Sequence, residues 1–280
     1  MTVSGEVTAD AVSARDRIPA ILSVEQLEVV YNHVQLAVQG VSMSVRQGEI
    51  VAVLGTNGAG KTTTLRAISG FLPGDNAEIA DGQVMFQGKI ITGKQPHVLA
   101  RRGLVIVPER DKVFMTLTVK ENLEAIPTIG SSEVRAEKMR LVMDLFPILG
   151  SRSRSQAGYL SGGERQMLAI SKALLLDPKV LLIDELSFGL APQVVEKLMQ
   201  TLADTNEHYG LSILLVEQNA TAALRIADYA YVLENGRVVM DGTPEELSSH
   251  QDVQEFYLGM ESEQGYSDLK QYKRKRRWWG

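Results

Sequence analysis

The segment Gly55-Thr56-Asn57-Gly58-Ala59-Gly60-Lys61-Thr62 carries the clearest chemistry in the chain. It fits the pattern G-x-x-x-x-G-K-[ST]. Glycines let the backbone bend so that successive N–H groups converge on phosphate oxygens. A helix beginning at Lys61 would turn its positive end toward the same anion. In this pattern Lys61 reaches the β- and γ-phosphates of a nucleotide, and the Thr62 hydroxyl faces Mg²⁺. An ordinary glycine turn with a lysine nearby is the plainer alternative. The apolar run before the loop and the helical signal after it favour nucleotide binding.

A second apolar run, Val180-Leu181-Leu182-Ile183, ends in Asp184-Glu185. Carboxylates at the C-terminal end of a strand in an open α/β sheet sit where ligands bind. Asp184 can hold Mg²⁺, and Glu185 can polarise an attacking water as a general base. Two surface acids at a strand end would read the same way in isolation; a phosphate loop in the same chain makes the catalytic reading the stronger one. Between the two lies Leu160-Ser161-Gly162-Gly163-Glu164-Arg165-Gln166. Ser161 is a helix N-cap candidate, and the glycines leave backbone N–H groups open to an anion. On physical grounds alone a capped helix and a second anion site are equally good readings.

These residues need elements to hold them. Ile50–Leu54 is a short β-branched run ended by glycine, the pattern of a strand buried on both faces. Strand-like alternation covers Ile21–Val30 and Val41–Val45, and further apolar runs cover Leu104–Val107 and Leu211–Val216. Helical patterns follow at Lys61–Ser69, Val134–Phe146, Gly163–Leu176 and Val194–Glu207. Strands alternating with helices imply a mainly parallel sheet covered on both faces. The mostly helical stretch from Arg110 to Gly158 interrupts that alternation and reads as an inserted helical subdomain. Asn235-Gly236 between two apolar runs signals a hairpin.

The chain as a whole sets limits. Its 280 residues suffice for one large domain or two small ones. A net charge of −5 gives no electrostatic reason to expect nucleic acid as a partner. The absence of cysteine excludes disulfides and thiolate metal sites and suits a reducing compartment. No apolar stretch approaches the roughly 20 residues needed to span a bilayer. Residues 1–20 are small and polar and read as a loose leader rather than a secretory signal.

The Leu160–Gln166 motif, lying between the phosphate loop and the Asp184-Glu185 strand, resembles the signature of the ABC ATPases. The resemblance covers about residues 21–260. It implies an α/β fold: a RecA-like P-loop NTPase core, an antiparallel β subdomain, and a helical subdomain inserted at about 111–171. The expected domain is 21–262, followed by a basic, tryptophan-ended tail at 263–280. It implies ATP and Mg²⁺ as cofactors. The nucleotide would be bound by Tyr31, stacked on adenine, and by Gly55, Thr56, Asn57, Gly58, Ala59, Gly60, Lys61, Thr62 and Thr63. Ser161, Gly162, Gly163 and Glu164 would close on the nucleotide of a second cassette paired head to tail. Thr62, Asp184 and Glu109 would be metal ligands, and Lys61, Glu185 and Gln218 catalytic. Ser187-Phe188-Gly189-Leu190-Ala191-Pro192 corresponds to the loop that crosses the dimer interface.

Two positions depart from the general pattern. Glu109, in Val107-Pro108-Glu109-Arg110, stands where most cassettes carry glutamine. Gln218, in Val216-Glu217-Gln218-Asn219, stands where most carry histidine; none of His33, His97, His208 and His250 follows that strand. The combination of these departures with the signature helix resembles one of the two ATPases of branched-chain amino acid importers. That resemblance implies a second ABC ATPase subunit, in a heterodimer or a homodimer. It also implies two integral-membrane permeases, an extracytoplasmic solute-binding protein, and a peripheral place on the cytoplasmic face of the cell membrane. The site built on Lys61, Glu185 and Gln218 is then expected to hydrolyse more slowly than the partner's. An exporter subunit predicts the same site residues. A non-transport ABC ATPase usually joins two cassettes or inserts a long coiled coil, and this chain shows neither. A regulator that binds nucleotide without hydrolysis would not need Glu185.

The tail ends Lys273-Arg274-Lys275-Arg276-Arg277-Trp278-Trp279. Basic residues beside tryptophan suit anionic lipid headgroups or a permease. A solvated tail and a nucleic-acid patch remain the other readings.

Overall fold

The computed structural model describes residues 15, 18–110, 112–127 and 131–256. The tail at 263–280 therefore lies outside the described residues. So does most of the leader, but Arg15 is not loose: its Nε donates to Glu49 at 2.6 Å and its guanidinium lies 3.6 Å from the Tyr229 ring centre.

In chain order the strands are β1 (Ala20–Tyr31), β2 (Gln35–Arg46), β3 (Ile50–Leu54), β4 (Ala77–Phe86), β5 (Lys89–Ile90), β6 (Leu104–Val107), β7 (Val180–Asp184), β8 (Ser212–Glu217), β9 (Tyr229–Glu234) and β10 (Arg237–Gly242). Helix α1 (Lys61–Ser69) follows β3 and α2 (Pro96–Ala100) precedes β6. Between β6 and β7 run α3 (Val119–Glu124), α4 (Ser132–Leu145), α5 (Pro147–Ser151) and α6 (Gly162–Leu174). Helices α7 (Pro192–Tyr209) and α8 (Ala220–Leu224) flank β8, and α9 (Pro244–Ser249) and α10 (Gln251–Phe256) follow β10.

The strands form a four-stranded antiparallel sheet, β2-β1-β4-β5, and a six-stranded sheet, β10-β9-β3-β8-β7-β6. In the larger sheet all neighbours are parallel except β9 and β10. This is the mixed α/β, P-loop architecture expected from the sequence. The β-branched run of β3 divides between two cores. Ile50, Ala52 and Leu54 pack with α6 and α7, whereas Val51 and Val53 pack with α1 and the antiparallel sheet. A strand whose two faces are both covered has no use for polar alternation.

Strand β4 carries no clean signal in the sequence because its phase changes. Ala77 and Val84 are both buried although they differ in parity, since the register between β1 and β4 shifts near Glu25–Glu28 opposite Asp81. An irregularity of this kind flips the inward set of side chains and hides the strand from a period-two reading.

Candidate functional site

Strand β3 delivers the chain to the loop at Gly55, and α1 starts at Lys61 with Gly60 as its N-cap at φ 99°. That conformation favours glycine. Space demands it too: a Cβ on Gly60 would sit 3.0 Å from the Ala37 carbonyl oxygen. The β9–β10 turn presses on the same place. Its Gly236 N–H donates to the Ala59 carbonyl at 2.9 Å, and a Cβ there would lie 2.5 Å from the Ala37 oxygen. The Asn235-Gly236 hairpin is thus a buttress under the phosphate loop, a role that only the folded chain reveals.

Lys61 is buried, with Nζ 3.2 Å from the Thr56 carbonyl oxygen and 3.5 Å from Glu185 Oε1. The Thr62 hydroxyl donates to Asp184 Oδ1 at 3.0 Å. Loop–helix and strand end, 122 residues apart in sequence, meet here. Burial pushes the Asp184 carboxyl up to about 6; the Thr62 hydrogen bond opposes that, and the charges of Glu185 and Glu109 add to it. Glu185 adopts a left-handed backbone at φ 45°, unusual for a residue with a Cβ, and its N–H donates to the Val216 carbonyl at 2.9 Å. Non-glycine residues held in this region concentrate at functional sites.

A cleft of about 730 Å³ opens over this group. Tyr31, Asn57, Gly58, Gly60, Lys61, Thr62, Thr63, Glu109 and Glu185 all line it. Tyr31 ends β1, and its hydroxyl lies 3.3 Å from Thr63 Oγ1, which fixes the ring at the cleft edge. Gln35, Leu36, Ala37, Gln39 and Asn235 also line the cleft, contributed by β2 and the hairpin. Their only sequence signal was the Asn-Gly turn. Glu109 reaches the cleft two residues beyond β6, where its Oε1 accepts from Arg110 Nε at 3.1 Å. Gln218 is exposed and sits outside that cleft, in an adjoining recess with Glu185, Ser187 and Phe188.

The signature residues lie elsewhere. None of Ser161, Gly162, Gly163 and Glu164 lines the cleft over Lys61. Ser161 and Glu164 form a reciprocal capping box, with Ser161 Oγ accepting from the Glu164 N–H at 3.2 Å and Glu164 Oε2 from the Ser161 N–H at 2.7 Å. Those bonds hold the Glu164 carboxyl below its ordinary range. The same box caps α3 at Thr118–Glu121 and α9 at Thr243–Glu246, so capping does not mark α6 as special. The glycines do. A Cβ on Gly163 would lie 2.5 Å from Val194 Cγ1, and one on Gly162 would lie 3.0 Å from Leu190 Cδ2. Close approach of α6 to the start of α7 is therefore a second reason for glycine here.

The chain is similar to known proteins along most of its length. The sequence pattern of the ABC transporter family matches residues 38–187. The chain is 40% identical over 239 residues to the high-affinity branched-chain amino acid transport ATP-binding protein BraG of Pseudomonas aeruginosa, covering 85% of this chain and all of that one. It is 39% identical to the probable branched-chain amino acid transport ATP-binding protein LivF of Archaeoglobus fulgidus, over 79% of this chain and 91% of that one. It is 34% identical to the lipopolysaccharide export system ATP-binding protein LptB of Escherichia coli, over 86% and 98%. Among solved structures it resembles an ATP-binding cassette of an ABC transporter in its ADP conformation, with a TM-score of 0.74 and 29% identity over 86% of this chain and 99% of that one.

Proposed function

The chain belongs to the ABC transporter family and is an ATPase of it, and from that premise we propose that it powers the uptake of branched-chain amino acids or related small organic solutes through partner permeases. The observation that carries the reading is the junction of the phosphate loop with β7, where Thr62 bonds Asp184 and Lys61 faces Glu185. The two relatives with the higher identities are named for branched-chain amino acid transport. The export relative, at 34%, favours the exporter reading less.

In this proposal the amides of Asn57–Lys61 and the Lys61 ammonium bind the β- and γ-phosphates of ATP and stabilise charge as the γ-phosphoryl group is attacked. Tyr31 stacks on the base. Glu185, on the cleft wall beside Lys61, takes a proton from the attacking water. Gln218 donates a hydrogen bond near the departing phosphate but cannot become cationic. Thr62 and Asp184 are oxygen donors already in contact, a set that suits a hard cation such as Mg²⁺. When bound, Mg²⁺ would neutralise phosphate charge. Glu109 is a further oxygen donor on the same cleft.

The separation of the signature from the cleft supports pairing with a second cassette, identical or not, beneath two permeases fed by a solute-binding protein. Among the described residues no helix is long and apolar enough to cross a membrane, which fits a peripheral subunit on the cytoplasmic face. The test is reconstitution with the permeases and the second cassette in liposomes loaded with ATP, with the solute-binding protein and labelled leucine, isoleucine and valine outside. ATP-dependent accumulation lost in Glu185→Gln is expected. ATP hydrolysis by the assembly without accumulation of any of the three would sink the branched-chain reading.

A further inference from the structure

Glu217 closes β8 and is fully buried. A buried carboxylate is costly unless well bonded, and its hydrogen bonds come from uncharged donors. Its Oε1 accepts from the Ser187 N–H at 2.9 Å and its Oε2 from the Ser187 hydroxyl at 2.5 Å. Burial pushes its carboxyl above the ordinary range. A strand end needs no such residue for its own stability. What the carboxylate does hold is the segment that begins with Glu185.

That segment is stitched to the end of β8 at three points. The Glu185 N–H donates to the Val216 carbonyl, and Ser187 gives both its N–H and its hydroxyl to Glu217. Between them Glu185 is kept at its left-handed φ of 45°. Beyond Ser187 the same segment runs through Leu190, which packs against Gly162, to Val194, which packs against Gly163. One end therefore carries the cleft carboxylate and the other supports the signature helix.

We propose that Glu217 is a positioning residue that clamps the segment 185–191, setting the aim of Glu185 and the seat of the signature helix together. It acts through Ser187 rather than on ATP. The part concerning catalysis rests on Glu185 as the general base; the clamp itself does not.

The test uses the full chain, alone for hydrogen exchange and ATP-analogue binding, and in the reconstituted assembly for turnover. In Glu217→Ala, amide exchange across 185–191 should rise at least about tenfold, while affinity for a fluorescent ATP analogue stays within about twofold. Turnover should fall roughly 10- to 100-fold with KM little changed, as expected when a reacting group is misplaced by about 1 Å. Glu217→Gln keeps the volume and can still accept from the Ser187 N–H, so it should recover most of the activity and folds if the alanine variant does not. Ser187→Ala should act in the same direction, and the double variant should be no worse than Glu217→Ala alone. Ser187→Thr, which keeps the hydroxyl, should be close to the parent. Wild-type exchange at 185–191 in Glu217→Ala, or turnover losses that add between positions 187 and 217, would overturn the clamp. A Glu185→Gln variant with full turnover would instead overturn the base assignment and leave the exchange result standing.

Discussion

The phosphate loop and the signature loop are both glycine-rich turns into helices, and they are built to opposite ends. Around Lys61 the polar groups are bonded to other parts of the chain: buried Lys61 meets the Thr56 carbonyl and Glu185, and Thr62 meets buried Asp184. Around Ser161 the cap bonds join Ser161 and Glu164 within a single turn, with Arg152 3.5 Å from Glu164, on a more exposed surface away from that cleft. The first arrangement is complete in one chain. The second has its cap satisfied locally and its glycines shaped by Leu190 and Val194, and among the described residues none of Ser161, Gly162, Gly163 and Glu164 lines that cleft.

The sharpest way to break that contrast is to disable each loop and ask which function goes. Lys61→Ala should abolish ATP binding by the isolated chain, measured by titration with a fluorescent ATP analogue. Glu185→Gln should leave binding intact and lower turnover of this site by about 10²- to 10⁴-fold, the range for loss of general-base catalysis. Gly163→Ala should leave binding by the isolated chain intact while depressing turnover of the assembled pair. It should also cost about 1–3 kcal/mol of stability from crowding Val194, read as a fall in denaturation midpoint. Lost ATP binding in the folded Gly163 variant would erase the distinction between the two loops.

A finer comparison is between the two ATP sites of the pair. Gln218 cannot carry the charge of a histidine, so Glu185→Gln here and its counterpart in the partner should lower steady-state hydrolysis by different factors. Equal losses would make the sites equivalent.

The buried acid Asp184 links the contrast to pH. Its folded carboxyl is raised to about 6, above the unfolded value, so its contribution to stability is full below about pH 4 and lost as pH rises through 6. In the metal-free protein Asp184→Asn should therefore raise the melting temperature at neutral pH, by an amount corresponding to roughly 1–3 kcal/mol, with the gain vanishing near pH 4. Activity should be lost in the same variant. An unchanged melting temperature at pH 7 would show that the acid is ionised without penalty.

The smallest effect separates capping from chemistry. Ser161→Ala and Thr243→Ala each remove one capping box and should each cost about 1 kcal/mol. Only the Ser161 change should touch turnover of the assembled pair. Matching turnover in both variants would reduce Ser161 to a helix cap.

Much of this was legible in the amino-acid order. The phosphate loop, the strand before it, the Asp184-Glu185 strand end and the Ser161 cap are local patterns, because each depends on residues within a few positions of one another. The helices expected at Val134–Phe146, Gly163–Leu176 and Val194–Glu207 fall within a few residues of α4, α6 and α7. The fold of β4 was hidden by its change of phase, and Gln218 reads from sequence as a cleft residue although it lies in the next recess. Sequence alone could name which side chains would do chemistry. Only the tertiary structure decided which of them meet, since the Thr62–Asp184 and Ser187–Glu217 bonds and the hairpin under Gly60 join segments 30 to more than 170 residues apart. Glycine and charge patterns record what a turn permits; the close approach that requires them comes from the partner segment, which local spacing does not specify.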